Sequence, residues 1–320
     1  MASADAVEPP VSEQIILRIG PILIGCYLNF LLFGISIVQV SVYYTTFPRD
    51  RLKTKVSVWC IFLIDIFQSI VVAGAGWDTL CSGWGRPSVL DLPTTWTVSG
   101  IPISSGIVAA WVQCIYASRI RILSDWTVIP YAIVGMALVQ AGAAIVIGIS
   151  FISLKDVAQL HDPNMFARTI VWFGGSGIAD LLITGSMVYL LYMARKSSVA
   201  SQRGERTVNR LLRMSIETGM ATFLTASLEL VFFLSMKDNN FHRIISFCLC
   251  KVYSNTLMVS LNSRAPSPLA FGGGETGSSI FDTIIFPTMN STIPRLYVHD
   301  ESSSVDIHDR VAETAPTTSR

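Results

Sequence analysis

Charge is scarce in this chain. Only 14% of its 320 residues are Asp, Glu, Lys or Arg, while 51% are hydrophobic, against about 25% charged in soluble domains. So little charge cannot clothe a globular surface in water, so lipid must cover part of it. Net charge is also nearly absent, at +1, which excludes a polyelectrolyte attraction to nucleic acid. A disulfide framework is missing: Cys26, Cys60, Cys114, Cys248 and Cys250 fall inside apolar runs, and Cys81 alone is expected in an outside loop. They read as small hydrophobes. No basic stretch precedes the first apolar run; the opening residues are acidic and Pro-bearing. That run is expected to be a retained transmembrane helix rather than a cleaved signal.

Catalytic constellations are missing as well. His161, His242, His299 and His308 stand apart, and there is no HExxH, GxSxG or histidine box. No enzyme activity, metal or cofactor is therefore expected. FGGSG at 173–177 lacks the lysine of a phosphate loop and sits in an apolar span.

What the chain does have is long hydrophobic runs. A helix needs about 20 apolar residues to cross a bilayer. Seven segments approach that length: 21–43, 56–76, 98–118, 128–151, 169–193, 215–236 and 241–262. The third and seventh are the least apolar. The expected fold is all-α: an integral bundle of seven transmembrane helices over 21–264, after a short outside terminus over 1–20. Residues 265–320, with GGG at 272–274 and 15 Ser or Thr, are expected to be a disordered cytosolic tail. Asn290 begins a sequon there, which a cytosolic tail leaves unglycosylated.

Basic residues set the expected orientation. One side collects Arg49, Arg51, Lys53, Lys55, Arg119, Arg121, Arg195, Lys196, Arg203, Arg206, Arg210, Arg213 and Arg264. The other holds Arg18, Arg86, Lys155, Arg168, Lys237 and Arg243. The N-terminus is expected outside and the C-terminus in the cytosol. The basic third cytosolic loop would then face a signalling partner or anionic lipid.

Ionisable groups inside a bilayer need a reason to be there. Four lie deep in the segments: Asp65, Asp180, Glu229 and Lys251. Glu229 is seven residues from Met236 and Lys251 eight from Arg243, so both sit roughly 10–12 Å below the outer boundary. Segments six and seven are joined by a short loop, and a Glu229–Lys251 ion pair is the expected arrangement. Asp65 and Asp180 lie near mid-membrane, sharing a polar cavity or bonding to neighbouring Ser, Thr, Asn or Tyr. Asn255 follows Lys251 by one turn on the same face. Asn262 and Ser263 are placed to satisfy the last carbonyls of the final helix, and Arg264 to reach the headgroups. These groups either line a pocket for an unidentified ligand or ion, or fix helix packing. Ala137-xxx-Ala141 and Ala144-xxx-Gly148 in segment four favour close packing within the chain. Trp77, Trp84 and Trp96 read as interfacial anchors.

Two seven-helix classes fit poorly. A lysine in the seventh helix holds the chromophore in microbial-type rhodopsins, but Phe247 stands four residues before Lys251 and segment three has no Asp or Glu. A rhodopsin-like receptor is disfavoured because segment three ends YASRIRILS and segment seven lacks NPxxY.

Other stretches agree with one another. The opening carries GPILIG, then GISIVQ, YY, PRDRLK and LID at 63–65; segment three exits through VQCIYASRIRILS; and the last segment closes KVYSNTLMVSLNSR. Together they resemble the fungal, mainly mushroom-type, seven-helix membrane proteins of domain-of-unknown-function family 6534. The resemblance covers about 18–264, with the family core at about 175–264. It implies a multi-pass membrane protein and places Asp65, Arg119, Lys251, Asn255, Asn262, Ser263 and Arg264 on signature positions. It differs at Gln68, where the family often has His or another polar residue. No established activity comes with it. The reading that follows is receptor-like or sensory; the alternatives are a small-solute or proton-coupled transporter, or a structural membrane scaffold.

Overall fold

Seven helices correspond one for one to the seven apolar segments. The computed structural model describes residues 13–83, 95–124, 126–153, 163–196, 202–235 and 241–264. The helices are α1 (Glu13–Thr46), α2 (Leu52–Trp77), α3 (Thr95–Leu123), α4 (Val128–Ser153), α5 (Pro163–Lys196), α6 (Gln202–Ser235) and α7 (Phe241–Asn262). A π-helical turn, Asp78–Ser82, prolongs α2. Among the described residues all regular structure is helical, and all seven helices are long and apolar enough to cross a membrane. The expected tail, Trp84 and the side chain of Trp96 lie outside the described residues, whereas Trp77 is exposed beside the π turn.

Two boundaries differ from expectation. Helix α1 begins at Glu13 and carries Pro21 inside it. The first segment is expected from Pro21, yet Ile15, Ile16, Leu17 and Ile19 continue the apolar pattern before it. A transmembrane helix tolerates an internal proline when neighbours re-satisfy the freed carbonyl. The basic third loop also shrinks to residues 197–201. Arg195 and Lys196 end α5, while Arg203, Arg206, Arg210 and Arg213 lie in α6. Good helix formers and an i,i+4 pair, Arg213 Nε to Glu217 Oε1 at 3.1 Å, support this polar extension.

Mean hydropathy does not set the third and seventh segments apart from the fifth and sixth, contrary to expectation; burial does. Of the membrane-crossing windows of the third and seventh, 72% and 78% of residues are buried in the protein, against 28–44% for the other five. Helix α7 packs on α1, α6, α3 and α2, and α3 packs on α4, α2, α7 and α5. Both are interior helices, most of whose residues meet protein rather than lipid. The outer helices turn Leu31, Leu63, Leu138 and Val139 outward, the apolar face that lipid covers. Tyr43, Val112, Tyr116, Ile120, Ile183 and Leu257 belong to the main apolar core.

Close approach is concentrated at α3–α4. A Cβ added at Gly106 would meet Ala144 Cβ at 2.5 Å, and one at Gly148 would meet Ile103 Cγ1 at 2.4 Å and the Ser99 carbonyl oxygen at 2.8 Å. Ala137 and Ala144 are fully buried. The small-residue stripe of α4 therefore packs within one chain, against α3. Gly175 of FGGSG faces Gln140 on α4.

Candidate functional site: a polar core around the last helix

Two helices present matching polar faces. On α2, Asp65, Gln68 and Ser69 fall at i, i+3 and i+4; on α7, Lys251, Ser254 and Asn255 do the same. That spacing gathers each set on one face. Lys251 is fully buried and its Nζ donates to the Asp65 carbonyl at 2.6 Å, to Gln68 Oε1 at 2.9 Å and to Asp65 Oδ1 at 3.5 Å. Ser254 Oγ donates to Asp65 Oδ1 at 2.8 Å, and Cys250 Sγ to the same oxygen at 3.5 Å. The Phe33 ring of α1 covers the ammonium, with Nζ 5.5 Å from its centroid, a cation–π contact. Gln68 Nε2 continues the network to Ser105 Oγ on α3 at 3.4 Å. A positive and a negative group thus neutralise each other where four helices meet.

The expected Glu229–Lys251 pair does not form. Lys251 lies ten residues into α7, about 15 Å deep, level with Asp65 at the middle of α2. Glu229 lies six residues from the end of α6, about 9 Å deep. It is level with Ser246 instead, which donates through Oγ to Glu229 Oε1. Glu229 is fully buried, and its Oε2 has no hydrogen-bond partner among the described residues.

Asp180 belongs to a second network on the other side of α7. Tyr253 OH donates to Asp180 Oδ2 at 2.5 Å, and Gln113 Nε2 to Asp180 Oδ1 at 3.0 Å. Gln140 Nε2 donates to Gln113 Oε1 at 3.1 Å, and Ser176 Oγ shares a 2.6 Å bond with Tyr253 OH. Asp65 and Asp180 therefore bond to neighbours rather than share one cavity. Gln113, Gln140, Ser176 and Tyr253 carry no formal charge, so they stand out less in an apolar run than the acids and the lysine do. The signal that reveals them is the same cost applied to any amide or hydroxyl in an apolar span.

A ladder ties α7 to α1. Asn29 Nδ2 donates to the Phe247 carbonyl at 2.6 Å, Asn255 Nδ2 to Leu32 O at 3.1 Å, and Asn262 Nδ2 to Gln39 O at 3.0 Å. Ser36 Oγ donates to Asn255 Oδ1 at 3.2 Å. Residue numbers rise together on both helices, so α1 and α7 run parallel. Asn262 thus serves a carbonyl of α1 rather than one of its own helix. Ser263 Oγ does satisfy a final carbonyl, that of Ser260, at 2.9 Å.

The exit residues close a clamp. Arg264 turns back to Asp50 instead of reaching headgroups: Nη2 lies 2.5 Å from Asp50 Oδ2, and its guanidinium stacks over Phe47 at 4.8 Å. The reason is a ready-made acceptor, because Tyr43 OH donates to the same Asp50 oxygen at 2.8 Å and the Arg51 amide to Oδ1 at 2.8 Å. Partial burial pushes the Asp50 carboxyl up, but Arg264, Tyr43 and the Arg51 amide more than offset it and hold it at about 2. Beside the clamp, Arg119 Nη1 donates to Ser260 Oγ at 2.5 Å. Arg119 and Arg264, from separate signature stretches, therefore meet at one end of the bundle. The basic positions 195, 196, 203, 206 and 210 carry no described side chains, and Arg213 is exposed.

No curated protein and no solved structure matches the chain. A family model, the family of unknown function DUF6534, matches residues 176–266. The matched stretch holds Asp180, Glu229, Lys251, Tyr253, Asn255 and the exit residues, so most of the polar core and half of the clamp fall within it. Residues 176–266 of this seven-helix chain are thus similar to the DUF6534 family.

Proposed function

We propose that this chain is a receptor-like or sensory protein without enzymatic activity, oriented with its N-terminus outside. One observation carries the reading. Helix α7 joins both mid-membrane networks, through Lys251 and Tyr253, to the clamp at its end, through Arg264. A ligand or ion that altered either network would bias a helix whose last residues sit at the bundle end richest in basic side chains. A bistable element biased at one site and read at another is what signalling requires. The orientation is supported by the excess of Lys and Arg at that end. The basic start of α6 would then offer cytosolic partners a charged surface.

Proximity labelling from the C-terminus of the full chain, in its native cell, tests this. Recovery of signalling proteins, reduced in Lys251→Met at equal expression, is the expected result. Altered solute uptake on deletion, without such partners, would replace the reading with transport. Neither effect, together with a loss of membrane organisation, would leave a scaffold.

A further inference from the structure

We propose that a crevice over α7 holds one acyl chain of an anionic phospholipid, whose headgroup is bound by Arg213 near the start of α6. The crevice encloses about 220 Å³ and is walled by α1, α6 and α7, with Leu32, Ala221, Thr225, Val252 and Val259 among its lining. It runs from Met214 to Thr225 along α6, about 16 Å at 1.5 Å per residue. That is roughly half of a 30 Å hydrocarbon layer, the depth of one leaflet.

The chemistry of the wall selects hydrocarbon. Its polar side chains are already engaged within the protein. Thr218 Oγ1 donates to Met214 O at 2.8 Å, Thr225 Oγ1 to Ala221 O at 2.8 Å and Thr256 Oγ1 to Tyr253 O at 2.9 Å, leaving methyl groups for the crevice. The Asn255 amide gives both ends to Leu32, Lys251 and Ser36. A polar ligand would find no partner inside, whereas each buried methylene gains about 0.8 kcal/mol.

The mouth selects the headgroup. Glu217 lines it and is paired with Arg213, whose side chain is 66% exposed. An exposed i,i+4 pair is weak, so a phosphate can displace the carboxylate from Arg213. Positions 213, 217 and 221 follow at helical spacing in α6, so Arg213 lies in register above the crevice. Charge complementarity therefore favours a phospholipid with net negative charge over a zwitterionic one or a sterol. This site stands independently of the receptor reading, because an occupied crevice is equally compatible with transport or scaffolding.

The test is native mass spectrometry of the purified full chain in neutral detergent, titrated with phosphatidylserine or phosphatidylcholine. The wild type is expected to retain one phosphatidylserine in preference to phosphatidylcholine. Arg213→Gln should cut that preference about fivefold, the worth of one basic residue at an anionic surface. Ala221→Phe, which fills the crevice, should lower retention of either lipid about tenfold, equivalent to some two methylenes. Inorganic phosphate alone should add no mass and leave phosphatidylserine retention unchanged. Equal retention of the two lipids by the wild type, or an unchanged preference in Arg213→Gln, overturns the proposal. So does displacement of the lipid by inorganic phosphate, or a dimer that dissociates in Ala221→Phe with no change in lipid, which would assign the crevice to a second copy. If Ala221→Phe does not fold, the surface variant Arg213→Gln still decides.

Discussion

At the scale of single residues, Lys251 and Asp65 dominate. Each is buried, and each is tolerable in a bilayer only because the other is present. Removing one partner leaves an uncompensated charge, which costs about 3–5 kcal/mol in buried pairs, whereas removing both leaves a site that can be nearly neutral. Lys251→Met and Asp65→Asn should each lower the thermal midpoint of the detergent-solubilised protein, and the double variant should recover most of the loss. Additive losses in the double variant would mean that the two groups do not stabilise each other. The identity of the deep ionisable residues was legible in the sequence, since apolar runs make them conspicuous. Their pairing was not. Lys251 and Glu229 differ in depth by about 6 Å, and that difference depends on where α6 and α7 begin and end. A boundary shift of one or two residues at each helix end was enough to suggest the wrong partner.

Among elements, the α3–α4 contact leaves no room for a side chain at Gly106 or Gly148. At Gly148 the obstacle to a side chain includes the Ser99 backbone carbonyl at 2.8 Å, which cannot rotate away. Gly142, six residues earlier in the same helix, has nothing within 4 Å of an added Cβ. Gly148→Ala should therefore destabilise by about 1–3 kcal/mol through overpacking, while Gly142→Ala should be neutral or stabilising by up to about 1 kcal/mol. Thermal unfolding of the pair checks this, and equal midpoints would show that α4 can move off α3 without cost. Element identity was readable because a run of about 20 apolar residues has few alternatives. Helix ends were less so. Arg203 to Arg213 looks like a solvated loop by composition, but it is rich in helix formers and continues α6 beyond the lipid-facing part.

For the whole molecule, orientation is the property on which the functional reading turns. The clamp between Asp50 and Arg264 and the contact between Arg119 and Ser260 gather one end of the bundle, and the basic residues favour the cytosol for that end. A glycosylation acceptor inserted between Asp78 and Thr95 should be modified in cells, and one inserted between Lys196 and Gln202 should not. The reverse pattern would invert the orientation and remove the basis for a cytosolic partner. The same architecture bears on modularity. The stretch 176–266 that matches the family model is not self-sufficient. The acceptors of Lys251 are on α2, one acceptor of Asn255 and that of Asn262 are on α1, and the carboxylate that meets Arg264 is in the link between those two helices. Expressed alone, this stretch would offer a bare ammonium to hydrocarbon and leave its final arginine without a carboxylate. What reads as a domain in one dimension is one half of a handshake in three, and any split, fusion or truncation of this chain has to keep the first two helices with the last.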